Sequence, residues 1–374
     1  MTDTALPAAT TVKGRSLTSL AMARLRRNAA AMVSIAWLAI VTLLCIVGPF
    51  IAPHPYDQIF QSYVRIPPSL EAYPKSDALQ GVMETAVSRA RVTLAEFSVS
   101  GETFRATLTS SDPIDPRVVR YLDRPDEFDA SAIVETRDDG RTVVAEGSVH
   151  REYFLMGTDA NGRDLFSRIM IGGRVSLTVG ILATLVSLVI GVTYGAISGF
   201  AGGRVDNVMM RLVEILYSLP FIFLVIILVV FFGRNFILIF VAIGAIEWLD
   251  MARIVRGQTL SLKRREFVAA AEAMGLSDWD IVRRHIIPNT AGPVIIFVTI
   301  LVPRVILLES FLSFLGLGVQ EPLTSWGALI AEGAANMQAA PWLLIYPSIF
   351  FVSTLFALNF LGDGLRDAFD PRDR

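Results

Sequence analysis

Long apolar stretches are the feature that most constrains what this chain can fold into. A helix needs about 20 predominantly apolar residues to cross the hydrocarbon core of a bilayer. Six stretches come close to this length, at about 30–52, 175–200, 208–232, 236–254, 291–315 and 342–361. Hydrophobic residues make up 53% of the chain, more than the roughly 45–50% of a soluble domain. The sequence therefore predicts an all-α polytopic membrane protein with about six transmembrane helices.

The charges that flank these stretches predict the orientation of the chain. Arg24, Arg26 and Arg27 precede the first stretch, and clusters of positive charge tend to stay in the cytoplasm. That stretch is longer than the roughly 7–15 residues of a signal-peptide core, so we expect a retained anchor. The predicted order is a cytoplasmic N-terminus (1–29), a first transmembrane helix (30–52), an extracytoplasmic domain (53–168), a transmembrane domain (169–362) with a cytoplasmic loop at 263–288, and a cytoplasmic tail (363–374).

Composition and motifs exclude several functions. The formal net charge of −2 provides no field for nucleic acid. Cys45 is the only cysteine, and the three histidines lie far apart, so neither a disulfide framework nor a metal site is predicted. The chain has no Gly-Lys pair, and therefore no phosphate-binding G-x-x-x-x-G-K-[ST] loop. No G-x-S-x-G elbow indicates a hydrolase, so we expect neither a bound cofactor nor enzymatic activity in this chain.

The polar segment between the first two apolar stretches is long enough to fold. Four parts of it read as strands, at 92–99, 103–108, 133–136 and 142–145. Ser100-Gly101 and Asp139-Gly140 separate them in pairs and are suited to tight turns. Residues 76–90 are compatible with a helix, and Asp115-Pro116 with a helix start. We predict a small inserted α+β domain, with a passive spacer as the alternative.

The loop after the fourth apolar stretch has the pattern of two short helices. Residues 263–275 are rich in strong helix formers, and Gly275 can end a helix in the left-handed conformation. Ser277, with Asp280 three residues later, has the spacing of a capping box for a second helix, which Pro288 should end or kink. Apolar side chains lie among the charges of this loop, namely Phe267, Met274, Leu276 and Trp279. Such a surface suits either a soluble partner or the lipid headgroups.

This loop resembles the EAA loop of binding-protein-dependent ABC importer permeases. The likeness depends on Ala269-Ala270-Ala271, Gly275 and Ile287-Pro288. It implies a coupling helix that fits a groove on a separate ATPase subunit. Ala269 stands where the family motif usually has glutamate, so Glu266 or Glu272 would have to supply that acid. The residues expected to couple to the ATPase are Glu266, Ala269, Ala270, Ala271, Glu272, Gly275, Asp278, Trp279, Arg284, His285 and Pro288.

Further segments resemble the oligopeptide and dipeptide branch of that family. They are Met156-Gly157-Thr158-Asp159, Gly162-Arg163-Asp164, Ser167-Arg168, Gly173-Arg174, Ser176-Leu177, Arg284-His285-Ile286-Ile287-Pro288-Asn289, Phe314-Leu315-Gly316-Leu317-Gly318-Val319 and Gly362-Asp363-Gly364-Leu365-Arg366-Asp367. The likeness covers 24–372 except about 70–151. It implies a type I importer permease fold, a second permease subunit in a heterodimer, two ATPase subunits that bind ATP and Mg, an extracytoplasmic solute-binding protein and a bacterial inner membrane. Peptides are the implied substrate, although close relatives carry nickel, glutathione or other small solutes.

Charged residues inside the apolar stretches indicate function, because such groups are costly in lipid. The candidates for the translocation path are Glu247, Asp250, Arg304 and Glu309. Arg304 and Glu309 lie about 140° apart around a helix, so we expect no direct pair; one would line the path and the other would meet the neighbouring permease. Prolines within the stretches, Pro220, Pro303 and Pro347, are candidate breaks or kinks. The same charges leave an ion-gradient-driven secondary transporter or channel as the alternative, and a membrane-anchored sensor as a third possibility.

Overall fold

The computed structural model of the chain describes residues 17–233 and 236–369. The predicted cytoplasmic N-terminus (1–29) and tail (363–374) lie partly outside the described residues. The chain divides into a first compact unit, Met1–Thr42, Ser176–Leu312 and Phe351–Arg374, and a second, Leu43–Val175 and Ser313–Phe350.

Helices make up most of the first unit and frame the sheet of the second. Their bounds are α1 Leu17–Leu25, α2 Ala29–Ile51, α3 Ser76–Arg89, α4 Val119–Leu122, α5 Leu165–Ala201, α6 Gly203–Ser218, α7 Phe221–Phe232, α8 Phe236–Leu262, α9 Glu266–Ala273, α10 Asp278–Ile281, α11 Ile287–Asn289, α12 Ala291–Phe314, α13 Trp326–Ala335 and α14 Trp342–Phe369. Among the described residues, α2, α5, α12 and α14 are long and apolar enough to cross a membrane. The predicted polytopic, mostly helical fold is confirmed.

The third and fourth apolar stretches differ from simple spans. The stretch at 208–232 was expected to form one span, but α6 and α7 meet at an angle of 82°. Pro220 explains the break: it lacks an N–H and holds the preceding Leu219 in an extended conformation, with φ −76° and ψ 128°. Taken together, α6 and α7 form either one broken span or a re-entrant loop. The fourth stretch lies in α8, which has 27 residues but also carries Glu247 and Asp250.

In the first unit, α5 packs closely against α8 through a row of glycines. Gly191, Gly195 and Gly199 repeat every four residues and therefore share one face of α5. A Cβ atom at Gly191 would lie 2.5 Å from Met251 Cβ, and one at Gly199 would lie 2.8 Å from Thr259 Cβ. Small residues let membrane helices approach closely, and any larger residue here would push α8 away.

The inserted domain belongs to the second unit and has one antiparallel sheet. Its strands are β1 Thr93–Ser100, β2 Thr103–Thr109, β3 Phe128–Arg137 and β4 Thr142–Val149, in the order β1-β2-β4-β3. Helix α3 packs against β1 and α4 against β3. The core between helices and sheet consists of Leu79, Met83, Val87, Phe104, Ala106, Leu108, Val118, Leu122, Phe128, Ala145 and Val149. The predicted small α+β domain is confirmed.

The turns of this domain have the geometry that the sequence predicts. Gly101 has φ 64°, and at the second turn Asp139 and Gly140 have φ 51° and 87°. The carboxylate of Asp115 accepts a hydrogen bond of 2.8 Å from the N–H of Arg117, as expected of an N-cap. β3 is longer than predicted because its first half, from Phe128, also pairs with β4.

Candidate coupling element and charged sites

Helix α9 ends as predicted, because Gly275 adopts the left-handed conformation with φ 76°. Its N–H donates to the carbonyl of Glu272 at 2.9 Å, and the N–H of Leu276 donates to the carbonyl of Ala271 at 3.2 Å. These two bonds form a Schellman motif, which satisfies the last carbonyls of the helix. The motif fixes the angle at which the chain leaves α9.

Ser277 caps the next helix, also as predicted. Its hydroxyl accepts from the N–H of Asp280 at 3.2 Å and donates to the carboxylate of Asp280 at 2.7 Å. The second bond differs from a capping box, in which the carboxylate accepts from the backbone N–H of the capping residue. The start of the helix is nevertheless fixed by local chemistry.

Pro288 was expected to end or kink this helix, and it does not end it. A π-helical turn, Val282–Ile286, precedes it, and the N–H of Ile287 donates to the carbonyl of Val282. π turns inside α-helices hold one extra residue, which relieves the clash between a proline ring and the preceding turn. Helical structure therefore continues from α10 into α12, with Thr290 alone in a turn.

The two short helices α9 and α10, hereafter the coupling hairpin, have one packed and one open side. Val268, Ala271 and Ile281 are buried against α5 and α8, beside Phe200 and Met251. The exposed residues of the hairpin include Glu266, Phe267, Ala269, Ala270, Glu272, Met274, Asp278 and Trp279. Ala271 was expected to contact a partner. It lies instead on the side of α9 that packs against α5 and α8.

The open side presents large apolar groups beside charges. Met274 is 72% exposed and Trp279 53%. Arg284 is exposed and lies 3.5 Å from the carboxylate of Asp280, whereas His285 is half-buried with its ring 6.5 Å from that of Phe267. A cluster of Met and aromatic side chains rimmed by charge is typical of a protein-binding surface.

A buried ion pair that sequence reasoning missed joins α6 to α8. Arg256 donates to both carboxylate oxygens of Asp206, at 2.6 and 2.5 Å, and Ser198 on α5 donates to the same carboxylate. Two parallel bonds of this kind are strong and directional. Asp206 could have indicated this ion pair from the sequence, because an acidic residue beside an apolar stretch requires a partner.

Three of the predicted path residues come together on α8 and α12. Arg304 Nη1 lies 3.0 Å from Asp250 Oδ2, and Arg304 Nε lies 3.5 Å from Glu247 Oε1. The side chain of Arg304 is 52% exposed, whereas that of Glu247 is 3% exposed. The arrangement combines a buried acid with a cation that reaches the surface of this chain.

Glu309, the fourth predicted path residue, is not part of that cluster. It is buried within the first unit, where its carboxylate accepts from the hydroxyl of Ser176 at 2.9 Å. A direct contact with Arg304 was not expected, because the two residues lie about 140° apart around one helix. A role of Glu309 on the path or at a neighbouring subunit stays a prediction.

The polar segment 156–168, which leads into α5, forms a buried charge network in the second unit. Asp159 accepts from Arg163 Nε at 2.7 Å and also from Arg168. Arg168 Nη1 lies 2.8 Å from Glu332 Oε2 on α13, and Arg163 Nη2 lies 2.8 Å from Glu321 Oε1. The charges therefore tie the start of α5 to the segment before α14, which explains why so many polar residues precede an apolar helix.

Comparison with known proteins identifies the family. The family model for the binding-protein-dependent transport system inner membrane component matches residues 191–374. A second, for the N-terminal TM domain of oligopeptide transport permease C, matches residues 16–68. The inserted domain lies between the two matches.

The chain covers most of the length of the curated relatives that it matches. The chain is 60% identical over 222 residues to the oligopeptide transport system permease protein OppC of Haemophilus influenzae, covering 59% of this chain and 71% of that protein. It is 63% identical to OppC of Escherichia coli K12, covering 58% and 72%. It is 46% identical to the dipeptide transport system permease protein DppC of Bacillus subtilis, covering 58% and 68%.

A solved structure is also similar. A chain of the MetNI methionine ABC transporter in inward-facing conformations has a TM-score of 0.46 and 17% identity, covering 53% of this chain and 94% of that chain. The relatives, all transport permeases, favour a permease over an ion-gradient-driven carrier, a channel or an enzyme. The chain therefore belongs to the family of binding-protein-dependent transport system inner membrane components, in the branch that includes the oligopeptide and dipeptide permeases.

Proposed function

We propose that this chain is one permease subunit of an ATP-driven importer that moves peptides across a bacterial inner membrane. The observation that carries the proposal is the coupling hairpin, whose packed side joins it to the membrane helices while Met274 and Trp279 remain exposed. An exposed apolar surface of this kind is stabilised by a partner protein. Peptides are the proposed substrate because relatives about 60% identical are oligopeptide permeases.

The proposed partners are a second permease subunit, two ATPase subunits that bind ATP and Mg, and an extracytoplasmic solute-binding protein. In this arrangement the coupling hairpin, the N-terminus and the tail lie in the cytoplasm. The inserted domain lies on the opposite side of the membrane, where it can meet the binding protein.

The proposed mechanism transmits force rather than catalysing a reaction. The hairpin follows α8 after three residues, Lys263-Arg264-Arg265, and continues through the π turn into α12. A push on the hairpin therefore moves both helices. These helices also carry Glu247, Asp250 and Arg304, so their relative rotation changes the separation of the charges that would line the path.

The coupling role is tested by changing the exposed apolar side chains. M274K/W279K should abolish ATP-driven uptake of a radiolabelled oligopeptide and reduce co-purification of the ATPase subunits by about tenfold or more, because central aromatic residues dominate interface energies. L70K/V134K is the matched control, since both residues are exposed apolar groups of the second unit. Undiminished co-purification in M274K/W279K would exclude this surface as the ATPase contact.

The substrate is tested in proteoliposomes that contain the complete importer. Uptake of a labelled oligopeptide should require ATP and should be competed by unlabelled peptides. Competition by nickel or glutathione instead of peptides would assign the importer to another solute.

A further inference from the structure

The inserted domain has a cleft lined by arginines. The cleft has a volume of about 460 Å³, with Arg117, Arg120 and Arg124 around it and Val92 and Val118 among its apolar lining residues. Arg117 lies in a short turn before α4, Arg120 lies in α4, and Arg124 follows it. The helical winding of this segment therefore gathers three cations at one place.

Ion pairs within the domain do not explain this cluster. Among the described residues, Arg117, Arg120 and Arg124 form no ion pair, whereas Arg105 and Arg137 each lie beside a glutamate. Residues 76–149 contain eight arginines, no lysine and 14 acidic residues, so carboxylates are plentiful nearby. Arg124 lies over the ring of Tyr121, 4.8 Å from its centroid, and Asp115 also lines the cleft. Guanidinium groups bind carboxylates with two parallel hydrogen bonds, so three arginines without an ion pair in a concave cleft are suited to a carboxylate ligand.

A second cavity, lined by both acidic and basic residues, adjoins the cleft. It has a volume of about 410 Å³, shares Arg124 with the cleft, and is also lined by Arg89, Asp126 and Glu127. Glu127 is 3% exposed, and its Oε2 atom has no hydrogen-bond partner among the described residues. Burial raises the pKa of Glu127 above its usual range. A buried carboxyl oxygen without a partner costs free energy, which a donor placed in this cavity would recover.

We propose that the two cavities form a binding site for a short peptide with free ends. Arg117, Arg120 and Arg124 would hold its terminal carboxylate, and Asp126 with Glu127 would hold its terminal ammonium. The inference rests on the proposed peptide substrate and assigns the inserted domain a direct role in binding it. An apolar C-terminal side chain would fit over Val92 and Val118.

The lining favours a peptide over an acidic protein surface. A protein patch that approaches the arginines would also approach Asp126, which is exposed, and like charges repel. Cavities of these volumes are of the size that small ligands occupy, and the carboxylates of Asp126 and Glu127 beside the arginine cleft suit the two charges of a zwitterion.

The test measures tritiated trileucine binding by equilibrium dialysis to the assembled permease–ATPase complex in nanodiscs, without the solute-binding protein. R117Q/R120Q/R124Q should weaken binding by about tenfold or more, since charged hydrogen bonds are lost. R105Q/R137Q/R141Q removes the same charge from the same domain and should leave binding unchanged. Amidation of the peptide should weaken binding to the wild type but not further to R117Q/R120Q/R124Q. N-acetylation of the peptide should likewise weaken binding to the wild type but should not weaken binding further to E127Q.

Two results would overturn the inference. One is an unchanged affinity for trileucine, seen either as equal binding by the wild type and R117Q/R120Q/R124Q or as equal binding of the free and the amidated peptide. The other is loss of solute-binding-protein docking in that variant without any loss of trileucine binding, which would make the cleft a protein surface. If the complete importer still takes up peptides with ATP in either case, only the inference fails; absence of such uptake would contradict the proposed function itself.

Discussion

At the residue scale, the side on which a hairpin residue lies decides what it can do. Ala269 and Ala271 are two positions apart on α9, yet Ala269 is exposed and Ala271 is fully buried against the helices of the first unit. The absence of the usual glutamate at position 269 therefore concerns the partner surface and not the packing of the hairpin.

Ala269→Glu and Ala271→Glu should consequently differ in their effect on stability. At position 269 the change should lower the free energy of unfolding by less than about 0.7 kcal/mol, the difference in helix propensity. At position 271 it would bury an unpaired charge, which costs about 3 kcal/mol or more. Thermal unfolding of the purified chain measures both. Equal destabilisation by the two changes would show that α9 packs differently.

Arg304 offers a second residue-scale prediction. Arg304→Gln leaves the buried carboxylate of Glu247 without its cation, which should lower the free energy of unfolding by about 1–3 kcal/mol and reduce peptide uptake. Arg304→Lys is the control, because it keeps the charge. E247Q/R304Q should recover part of the stability, since the unpaired charge is then absent. A single Arg304→Gln variant as stable as the wild type would mean that the contact contributes nothing.

At the scale of elements, features set by neighbouring residues could be read from the sequence, whereas those set by distant ones could not. The ends of α9 and α10 follow from Gly275 and Ser277, which act on backbone groups within a few residues. The Asp206–Arg256 pair joins positions 50 apart, so Asp206 could indicate the need for a partner but not which residue supplies it. The π turn was missed because whether Pro288 ends a helix depends on the winding of the residues before it.

The arrangement of the charges in the candidate sites shows the same limit. Helical spacing could predict that Arg304 and Glu309 point in different directions, because both lie on one helix. It could not pair Arg304 with Glu247 and Asp250, since that contact needs the packing of α8 against α12. The arginine cleft likewise depends on α4 folding back towards the start of β1.

Gly275 gives the prediction for the coupling hairpin as an element. No atom lies within 4 Å of where a Cβ atom would stand, so Gly275→Ala has only a conformational cost, about 1–2 kcal/mol for the left-handed region. Gly275→Asn should cost less, because asparagine tolerates that region. ATPase co-purification should decrease in the same order, together with the melting temperature. If alanine were no worse than asparagine, the Schellman motif would not be what holds the hairpin.

At the scale of the whole molecule, the inserted domain is attached through a narrow paired stem. Tyr73 and Glu152 exchange backbone hydrogen bonds of 2.8 and 2.7 Å, so the chain leaves and re-enters at neighbouring points. The domain also has a core of its own. The matches to the family models stop at residue 68 and resume at residue 191, consistent with an addition to a shared membrane fold.

Replacing 76–149 by a short Gly-Ser linker should therefore leave membrane insertion and ATPase co-purification intact. We expect peptide uptake to fall, because the proposed peptide site and the surface proposed to meet the binding protein are removed. Uptake by proteoliposomes and co-purification measure the two effects separately. Full uptake after the deletion would remove any role of the domain in transport.

The π turn has a consequence for how this chain tolerates changes in length. Because the turn holds one residue more than a regular α-helical turn, losing one residue of Val282–Ile286, together with Pro288→Ala, would leave an ordinary helix that still directs Arg304 towards Glu247. A single deletion between Thr290 and Arg304 would instead swing Arg304 about 100° around the axis of α12. Between the coupling hairpin and Arg304, the π turn is therefore the segment in which the number of residues can change while the Arg304 side chain still points towards Glu247.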